Sequence, residues 1–175
     1  PAGVTVRQIA AEAGVSPGLI THHFGELDEL IAYAFDHMAG GVYDDVTAAM
    51  REAGPDPRAQ IGAFIDASFS RAIFDPGLLD TWMVFWSLIR HMPKARRTQV
   101  RGYHAYLATV EDLLSRLAAA EAIPVGDVRL AAVAFYALLD GLWLDWCLDP
   151  GAFSPEDGAR ACRHWIEGFR RGAWA

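Results

Sequence analysis

The clearest candidate for ligand chemistry is a single carboxylate, Asp140, which lies in the apolar stretch Leu139–Leu144. An unpaired charge there would be costly to bury. Asp140 can cap a helix or pair with an arginine of a neighbouring helix, or it can face a cavity and hold a cation among aromatic rings. The rings that recur at helical spacing can line such a cavity or simply form the core: Trp82, Phe85, Trp86, Tyr103, Tyr106, Phe135 and Trp143.

Motifs for catalysis are absent. The sequence has no Gly-rich phosphate loop, no HExxH and no nucleophile elbow. His91, His104 and His164 are isolated, without metal-ligand spacing. Two cysteines, Cys147 and Cys162, make neither a disulfide framework nor a zinc site. We therefore expect a protein that is not an enzyme and that needs neither a metal nor a cofactor.

The composition is rich in apolar residues for 175 residues, with 53% hydrophobic side chains and six Trp. This richness indicates a large internal pocket or a buried subunit interface. No uninterrupted apolar run approaches the ~20 residues of a membrane span, and no signal peptide is apparent. We expect a cytoplasmic protein with no membrane association.

Residues 5–24 have the pattern of two short helices joined by a tight turn. Thr5 is an N-cap with Gln8 as its capping-box partner. Ser16 caps the second helix, and Pro17 occupies its first position. This is the layout of a helix-turn-helix, whose second helix enters the DNA major groove. A helix-turn-helix can also serve packing alone, but its position ahead of a long helical body favours DNA binding.

The residues within and just after this motif resemble the TetR family of one-component transcriptional regulators. The resemblance is carried by Ile9-Ala10, Ala13-Gly14-Val15-Ser16, Gly18, Ile20, His23-Phe24 and Leu30. It implies a homodimer that binds a double-stranded operator and releases it when a small-molecule effector binds.

The resemblance also implies which residues contact DNA. Arg7 matches a base-reading position, and an arginine can contact guanine O6 and N7 together. The N-terminal end of the recognition helix, where base contacts concentrate, holds Pro17, Gly18 and Leu19. The expected set is completed by Thr5, Ser16, Thr21, His22 and His23. For His23 a structural position beneath the helix is favoured, and a phosphate contact is the alternative.

The charge of the head argues against tight DNA binding. Residues 1–50 carry one cation, Arg7, and seven carboxylates, a net charge of −6 out of the chain's −7. Thr21 and Leu27 replace the Tyr and Lys with which the family commonly contacts phosphates. We expect a preceding segment to supply positive charge and the first helix of the head. The alternative is a helical binding protein with weak or lost DNA affinity.

Hydrophobic periodicity predicts an all-α fold, and no strand pattern competes with it. One long helix over about 27–53 connects the head to the body. We place the domain boundary at Gly40-Gly41, giving a DNA-binding domain at 1–40 and a ligand-binding and dimerisation domain at 41–175. Five body helices are expected at about 57–74, 78–91, 94–121, 127–147 and 155–171. A solvated face is the favoured interpretation of the basic run Lys94–Arg101.

Two segments of the body, Trp82–Trp86 and Leu139–Leu144, resemble the C-terminal domain of the betaine-synthesis repressors, and Thr21 also fits that branch. The resemblance places the effector site among these helices and so favours a pocket. Its expected residues are Trp82, Phe85, Trp86, Tyr103, Tyr106, Asp140 and Trp143. A pocket of this composition suits an amphipathic or cationic effector.

The last two helices carry small and large apolar residues that would allow close packing between subunits. Two helices from each chain would form a four-helix bundle about a two-fold axis. The expected interface consists of Ala134, Ala137, Leu138, Gly141, Leu142, Cys162, Trp165, Ile166 and Phe169. The alternative is that these residues cover the core of their own chain.

Overall fold

The computed structural model of the chain describes residues 4–175, and the regular structure in this range is helical throughout. The helices are α1 Val6–Glu12, α2 Pro17–Phe24, α3 Leu27–Glu52, α4 Pro57–Ser68, α5 Pro76–Ile89, α6 Pro93–Glu121, α7 Val128–Leu148 and α8 Pro155–Arg170. The predicted all-α class is confirmed.

The caps that begin α1 and α2 are those that the sequence indicates. Thr5 Oγ1 accepts from the N–H of Gln8 at 3.3 Å, and the Gln8 side chain accepts from the N–H of Thr5 at 2.9 Å. Ser16 Oγ accepts from the N–H of Leu19 at 3.2 Å. Between the two helices Gly14 has a φ of 65°, a left-handed conformation in which a side chain would be strained.

The long helix α3 joins the head to the body and is buried along one face. Its first half, with Ile31 and Phe35, belongs to a small core that also contains residues of α5 and the start of α6. Its second half, with Val42, Val46 and Met50, belongs to the large core of the body. The helix is therefore held at both ends by different groups of neighbours. The domain boundary at Gly40-Gly41 lies between these groups and stays a prediction.

The first body helix is shorter than predicted, since α4 ends at Ser68 and not near residue 74. Turns follow, closed by the N–H of Phe74, which donates to the carbonyl of Ser70 at 2.7 Å. The carbonyl of Ser68, the last residue of α4, accepts a hydrogen bond from the indole Nε1 of Trp143 at 3.2 Å. Asp75 then caps α5 through the N–H of Leu78, at 2.9 Å.

Candidate effector pocket and DNA-binding head

A cavity of about 190 Å³ lies between α3, α5, α6 and α7. Six of the predicted ligand-binding residues line it: Trp82, Trp86, Tyr103, Tyr106, Asp140 and Trp143. The other lining residues are Phe35, Ala39, Gly40, Val42, Tyr43, Gln99, Gly102, Ala105, Tyr136 and Leu139. The aromatic residues thus form a cavity wall, although whether they bind a ligand stays a prediction.

Asp140 is the only Asp, Glu, Lys or Arg among the described residues of this wall. It forms no salt bridge within residues 4–175. Burial raises the pKa of its carboxyl from 3.8 to about 7, and a hydrogen bond with Tyr136 partly opposes the rise. Pairing with an arginine, which the sequence left open, is therefore not what the structure shows. A cation placed beside such a buried carboxyl would stabilise its charged form.

Polar tethers hold three of the rings in place. The Tyr43 hydroxyl lies 3.0 Å from Thr109 Oγ1, and the Tyr106 hydroxyl lies 3.5 Å from Ser68 Oγ. Trp143 Nε1 donates to the Ser68 carbonyl. Because these contacts fix the ring planes, much of the wall is preorganised before any ligand enters.

The indole of Trp82 has an unsatisfied donor. Its Nε1 is the one buried side-chain nitrogen or oxygen of the described residues without a hydrogen-bond partner. The ring packs edge-on against Phe35 at 5.2 Å and lies 6.1 Å from Trp86. A buried donor left unpaired costs about 1–3 kcal/mol. Since Trp82 lines the cavity, an oxygen atom of a ligand there could accept from this donor.

Phe85 and Phe135 are not part of the cavity wall, so the prediction of Phe85 as a ligand contact is corrected. Phe85 is 8% exposed and packs edge-on against Phe35 at 5.3 Å, in the small core between α3, α5 and α6. Phe135 lies in the large core, 5.0 Å from the ring of Trp165. Helical spacing alone could not separate these rings from their neighbours, because core and pocket share one apolar face.

The nine predicted DNA contacts all belong to exposed residues of the head: Thr5, Arg7, Ser16, Pro17, Gly18, Leu19, Thr21, His22 and His23. The exposure of His23 corrects the favoured prediction that it lies beneath the helix. The Thr21 hydroxyl donates to the carbonyl of Pro17 at 3.0 Å, so it would have to rotate to donate to a phosphate. Arg7 forms no salt bridge within residues 4–175.

Comparison with known proteins explains this arrangement of head and pocket. Residues 1–34 match the tetR family of bacterial regulatory proteins, and residues 57–171 match the C-terminal domain of BetI-type transcriptional repressors. The chain belongs to the TetR family. It is a ligand-responsive, DNA-binding transcriptional regulator of the BetI type.

Individual relatives are similar over most of this TetR regulator. The HTH-type transcriptional regulator BetI of Stenotrophomonas maltophilia is 31% identical, over 95% of this chain and 82% of its own length. A transcriptional regulator from Pseudomonas aeruginosa PAO1 is 39% identical with a TM-score of 0.92, over 98% of this chain and 82% of that one. A Saccharomonospora viridis regulator, solved in complex with choline, shares the fold at 19% identity and a TM-score of 0.77, over 94% of this chain and 85% of that one.

Part of the dimer interface predicted for this TetR regulator is corrected. Cys162 and Phe169 are fully buried and Ile166 is 7% exposed, all within the large core of one chain. Trp165 is partly buried and stacks on Phe169, with 5.9 Å between ring centroids. Side chains that the chain already covers leave no surface for a second chain. The alternative that the α8 stripe covers its own core is therefore the correct one for Cys162, Ile166 and Phe169.

The outward face of α7 differs from the stripe on α8. Ala137 is exposed, and Ala134, Leu138, Gly141 and Leu142 are half-buried. Leu130 and Leu148 on the same helix are 55% and 69% exposed. By length and composition α7 could cross a membrane, with a mean hydropathy of 1.4 over its most apolar window. A core helix of a TetR regulator meets the same criterion, and the inner face of α7 lies in the large core.

The helix α3 also contributes to the pocket of this regulator, which was not predicted from the sequence. Phe35, Ala39, Gly40 and Tyr43 line the cavity although they belong to the helix that connects to the head. Nothing in their spacing distinguishes them from ordinary core residues of an amphipathic helix. Tyr136 was also missed, but it could have been found, since it lies one helical turn before Asp140 and shares its face.

Proposed function

We propose that this TetR regulator is a homodimeric repressor whose effector is a small quaternary or protonated amine. The observation that carries the proposal is Asp140, a half-buried carboxylate without a salt bridge to residues 4–175, in the wall of an aromatic cavity. A cation held against aromatic faces gains ~0.5–2 kcal/mol for each contact. The carboxylate adds a charge-assisted contact and is itself relieved of its desolvation. The choline bound to the S. viridis regulator supports this effector class.

The effector acts by shifting a conformational equilibrium. The cavity lies between α3, which carries the head, and the body helices α5, α6 and α7. An effector that binds one arrangement of these helices better than the other shifts the two heads away from the spacing that fits the operator. A ligand can move the equilibrium only by its difference in affinity for the two arrangements.

DNA is bound by the head in successive major grooves of a near-palindromic operator. Arg7 and the residues 17–19 read base edges, and Thr5, Ser16, Thr21, His22 and His23 contact phosphates. The head comprises residues 1–40 and the body residues 41–175. Because this is a family of transcriptional regulators, we assign no catalytic activity and place the protein in the cytoplasm.

The dimer forms through the outward face of α7, which packs against its copy with α8 alongside. Small residues at Ala134, Ala137 and Gly141 allow two α7 backbones to approach closely. The exposed leucines at both ends of α7 would be covered in the same contact. This face supplies the apolar surface that a two-fold interface requires.

A second function, a helical binding protein with weak DNA affinity, is favoured by one observation. The head has a single cation within residues 1–50 and Leu27 in place of a phosphate-binding lysine. Footprinting of the full-length protein on its own promoter region decides between the two. Protection of a near-palindrome that disappears when the effector is added supports the repressor, and no protection at about 50 mM salt, where phosphate contacts are strong, supports the binding protein.

Tryptophan fluorescence tests the effector class, because Trp82, Trp86 and Trp143 line the cavity. Choline is titrated against 3,3-dimethyl-1-butanol, its neutral analogue of nearly the same shape. We expect choline to bind the wild type more tightly, and Asp140→Asn to remove most of that preference. Equal affinity for both compounds in the wild type would contradict a cationic effector and leave the repressor function intact.

A further inference from the structure

A run of basic residues in the body is not used by the pocket or by the dimer face. Residues 81–110 contain no Asp or Glu, and residues 90–101 hold five of the chain's 15 Lys and Arg. These five are Arg90, Lys94, Arg96, Arg97 and Arg101. From sequence distance alone a solvated face far from the head is the natural expectation.

The structure places the start of this run directly beside the head. The backbone N–H groups of Lys94 and Ala95 donate to the two carboxylate oxygens of Asp28, at 3.0 and 3.2 Å. Lys94 Nζ lies 3.0 Å from Glu29 and 3.6 Å from Glu26. These acidic residues lie at the start of α3, immediately after the recognition helix α2. The first turn of α6 is therefore in contact with the segment that follows the recognition helix.

Three neighbouring charges are unpaired in the described part of the chain. Arg90, Arg96 and Arg97 are exposed, and none of them forms a salt bridge within residues 4–175. By contrast, Lys94 is engaged by the two glutamates. Arg96 and Arg97 lie within about 5 Å of Lys94 along the helix axis, at about 1.5 Å per residue.

These arginines do not serve the stability of their own helix. The N-terminal end of a helix carries partial positive charge, so cations in its first turn are unfavourable. The N-terminal end of α6 is instead capped by the carboxylate of Asp28. Arg96, the fourth residue of α6, therefore opposes the helix dipole, Arg97 lies just beyond the first turn, and no carboxylate of residues 4–175 pairs with either.

We propose that Arg90, Arg96 and Arg97 form a body surface that contacts the phosphates of DNA bound by the head. The inference rests on the proposed DNA-binding function and deepens it. Affinity for DNA comes largely from cations that displace counterions from phosphates, and the head itself is acidic. The body arginines supply positive charge beside α3, where the family's lysine is replaced by Leu27. Even without direct contact, charges within about 8–10 Å of the backbone act on it at physiological salt.

The test uses the full-length protein and a fluorescein-labelled duplex of mixed sequence, about 40 bp long, because phosphate contacts do not depend on sequence. Dissociation constants are measured by anisotropy between about 50 and 200 mM salt. The double variant Arg96→Gln/Arg97→Gln should bind more weakly, and the slope of log K against log salt should fall by about 0.9 for each phosphate that an arginine no longer neutralises. Its melting temperature should be unchanged or higher, since unfavourable charges leave a helix N-terminus. Arg96→Lys/Arg97→Lys should restore the slope.

The matched control is Arg51→Gln/Arg58→Gln, which removes the same charge from exposed arginines outside salt bridges within residues 4–175. Arg51 lies about 35 Å from Asp28 along α3. If this control lowers the slope as much as Arg96→Gln/Arg97→Gln does, or if neither changes it, the run is only a solvated face and the proposal fails. If the wild type binds no duplex even at the lowest salt and protects no sequence in promoter footprinting, DNA binding itself is refuted, which is a different result.

Discussion

Replacement of Asp140 by asparagine should stabilise the free protein while it weakens binding of a cation. The substitution keeps the size of the side chain and removes its charge. The raised pKa means that the folded protein disfavours the charged carboxylate, whereas the unfolded chain ionises it freely. The wild type therefore carries a stability penalty that an asparagine does not have.

The penalty follows from linkage between the pKa and folding. The carboxyl titrates near 3.8 in the unfolded chain and near 7 in the fold. Stability from this group is fully present below pH 3.8, is lost as pH rises to about 7, and is constant above that. Each pH unit inside the window is worth about 1.36 kcal/mol. From about pH 5 to pH 8 the wild type should lose about 2–3 kcal/mol relative to Asp140→Asn, or about 5–10 °C in melting temperature.

Thermal unfolding of both proteins across this pH range measures the difference. All other groups titrate alike in the two proteins, so only Asp140 contributes to the change with pH in the difference between their melting temperatures. Asp45→Asn, on an exposed turn of α3, serves as the control for the loss of one carboxylate. If Asp140→Asn runs parallel to the wild type, the carboxyl is solvated and has an ordinary pKa, and the electrostatic basis for a cationic effector is refuted.

The affinity for a cation should depend on pH through the same carboxyl. Only the ionised carboxylate attracts a cation, so choline affinity should rise about tenfold per pH unit below about pH 7 and level off above it. Saturating choline should also remove the stability advantage of Asp140→Asn at about pH 8, where the carboxyl is ionised. A pH-independent affinity would mean that the cation, if it binds, does not contact Asp140.

Three further substitutions test the head, the interface and the core. Arg7→Ala should cost ~1–3 kcal/mol on one base pair of each half-site; an equal reduction on every sequence, measured by anisotropy, would make Arg7 a phosphate contact. Gly141→Leu should leave folding intact, because within residues 4–175 nothing beyond the backbone of α7 itself lies within 4 Å of the new Cβ, yet should yield monomers in sedimentation; an unchanged dimer would place the interface elsewhere. Gly158→Ala would put a Cβ 2.4 Å from the buried ring of Phe69, so chemical denaturation should show a destabilisation of about 1–3 kcal/mol, whereas a gain in stability would mean that the ring moves freely.

Local features of the fold could be predicted because their causes lie within a few residues. The capping box of Thr5 and Gln8 and the cap at Ser16 each need only a hydroxyl at one position and a free N–H three residues later. Six of the sixteen residues of the pocket wall were predicted, and that prediction depended on the resemblance to the betaine-synthesis repressors, because helical spacing alone does not distinguish a pocket from a core. The end of α4 at Ser68 was not predictable, since its surroundings come from distant parts of the chain: the Ser68 carbonyl accepts from the indole of Trp143, 75 residues later.

Long-range packing also explains the failures. Periodicity identifies an apolar face but not the element that covers it, so Cys162, Ile166 and Phe169 were predicted to lie in a dimer interface although they belong to the core of one chain. Burial within the chain decides this question. The same limit applies to Phe85 and Trp86, which are adjacent in sequence. Phe85 packs against Phe35 in the small core, whereas Trp86 lines the cavity.

The two junctions between α3 and α6 connect the pocket to the head. At the cavity the two helices meet through Tyr43 and Tyr106, with 6.0 Å between the ring centroids. Near the head they meet again where Asp28 caps the start of α6. Helices are stiff over this length, so a ligand that separates them at the cavity must either tilt one helix about the Asp28 contact or strain that contact. Tilting reorients the first turn of α3 about the contact, and strain displaces it. In both cases α2 follows, because Gly25 and Glu26 alone separate the two helices. The proposed effector and the basic surface beside the head would thus act on the same junction.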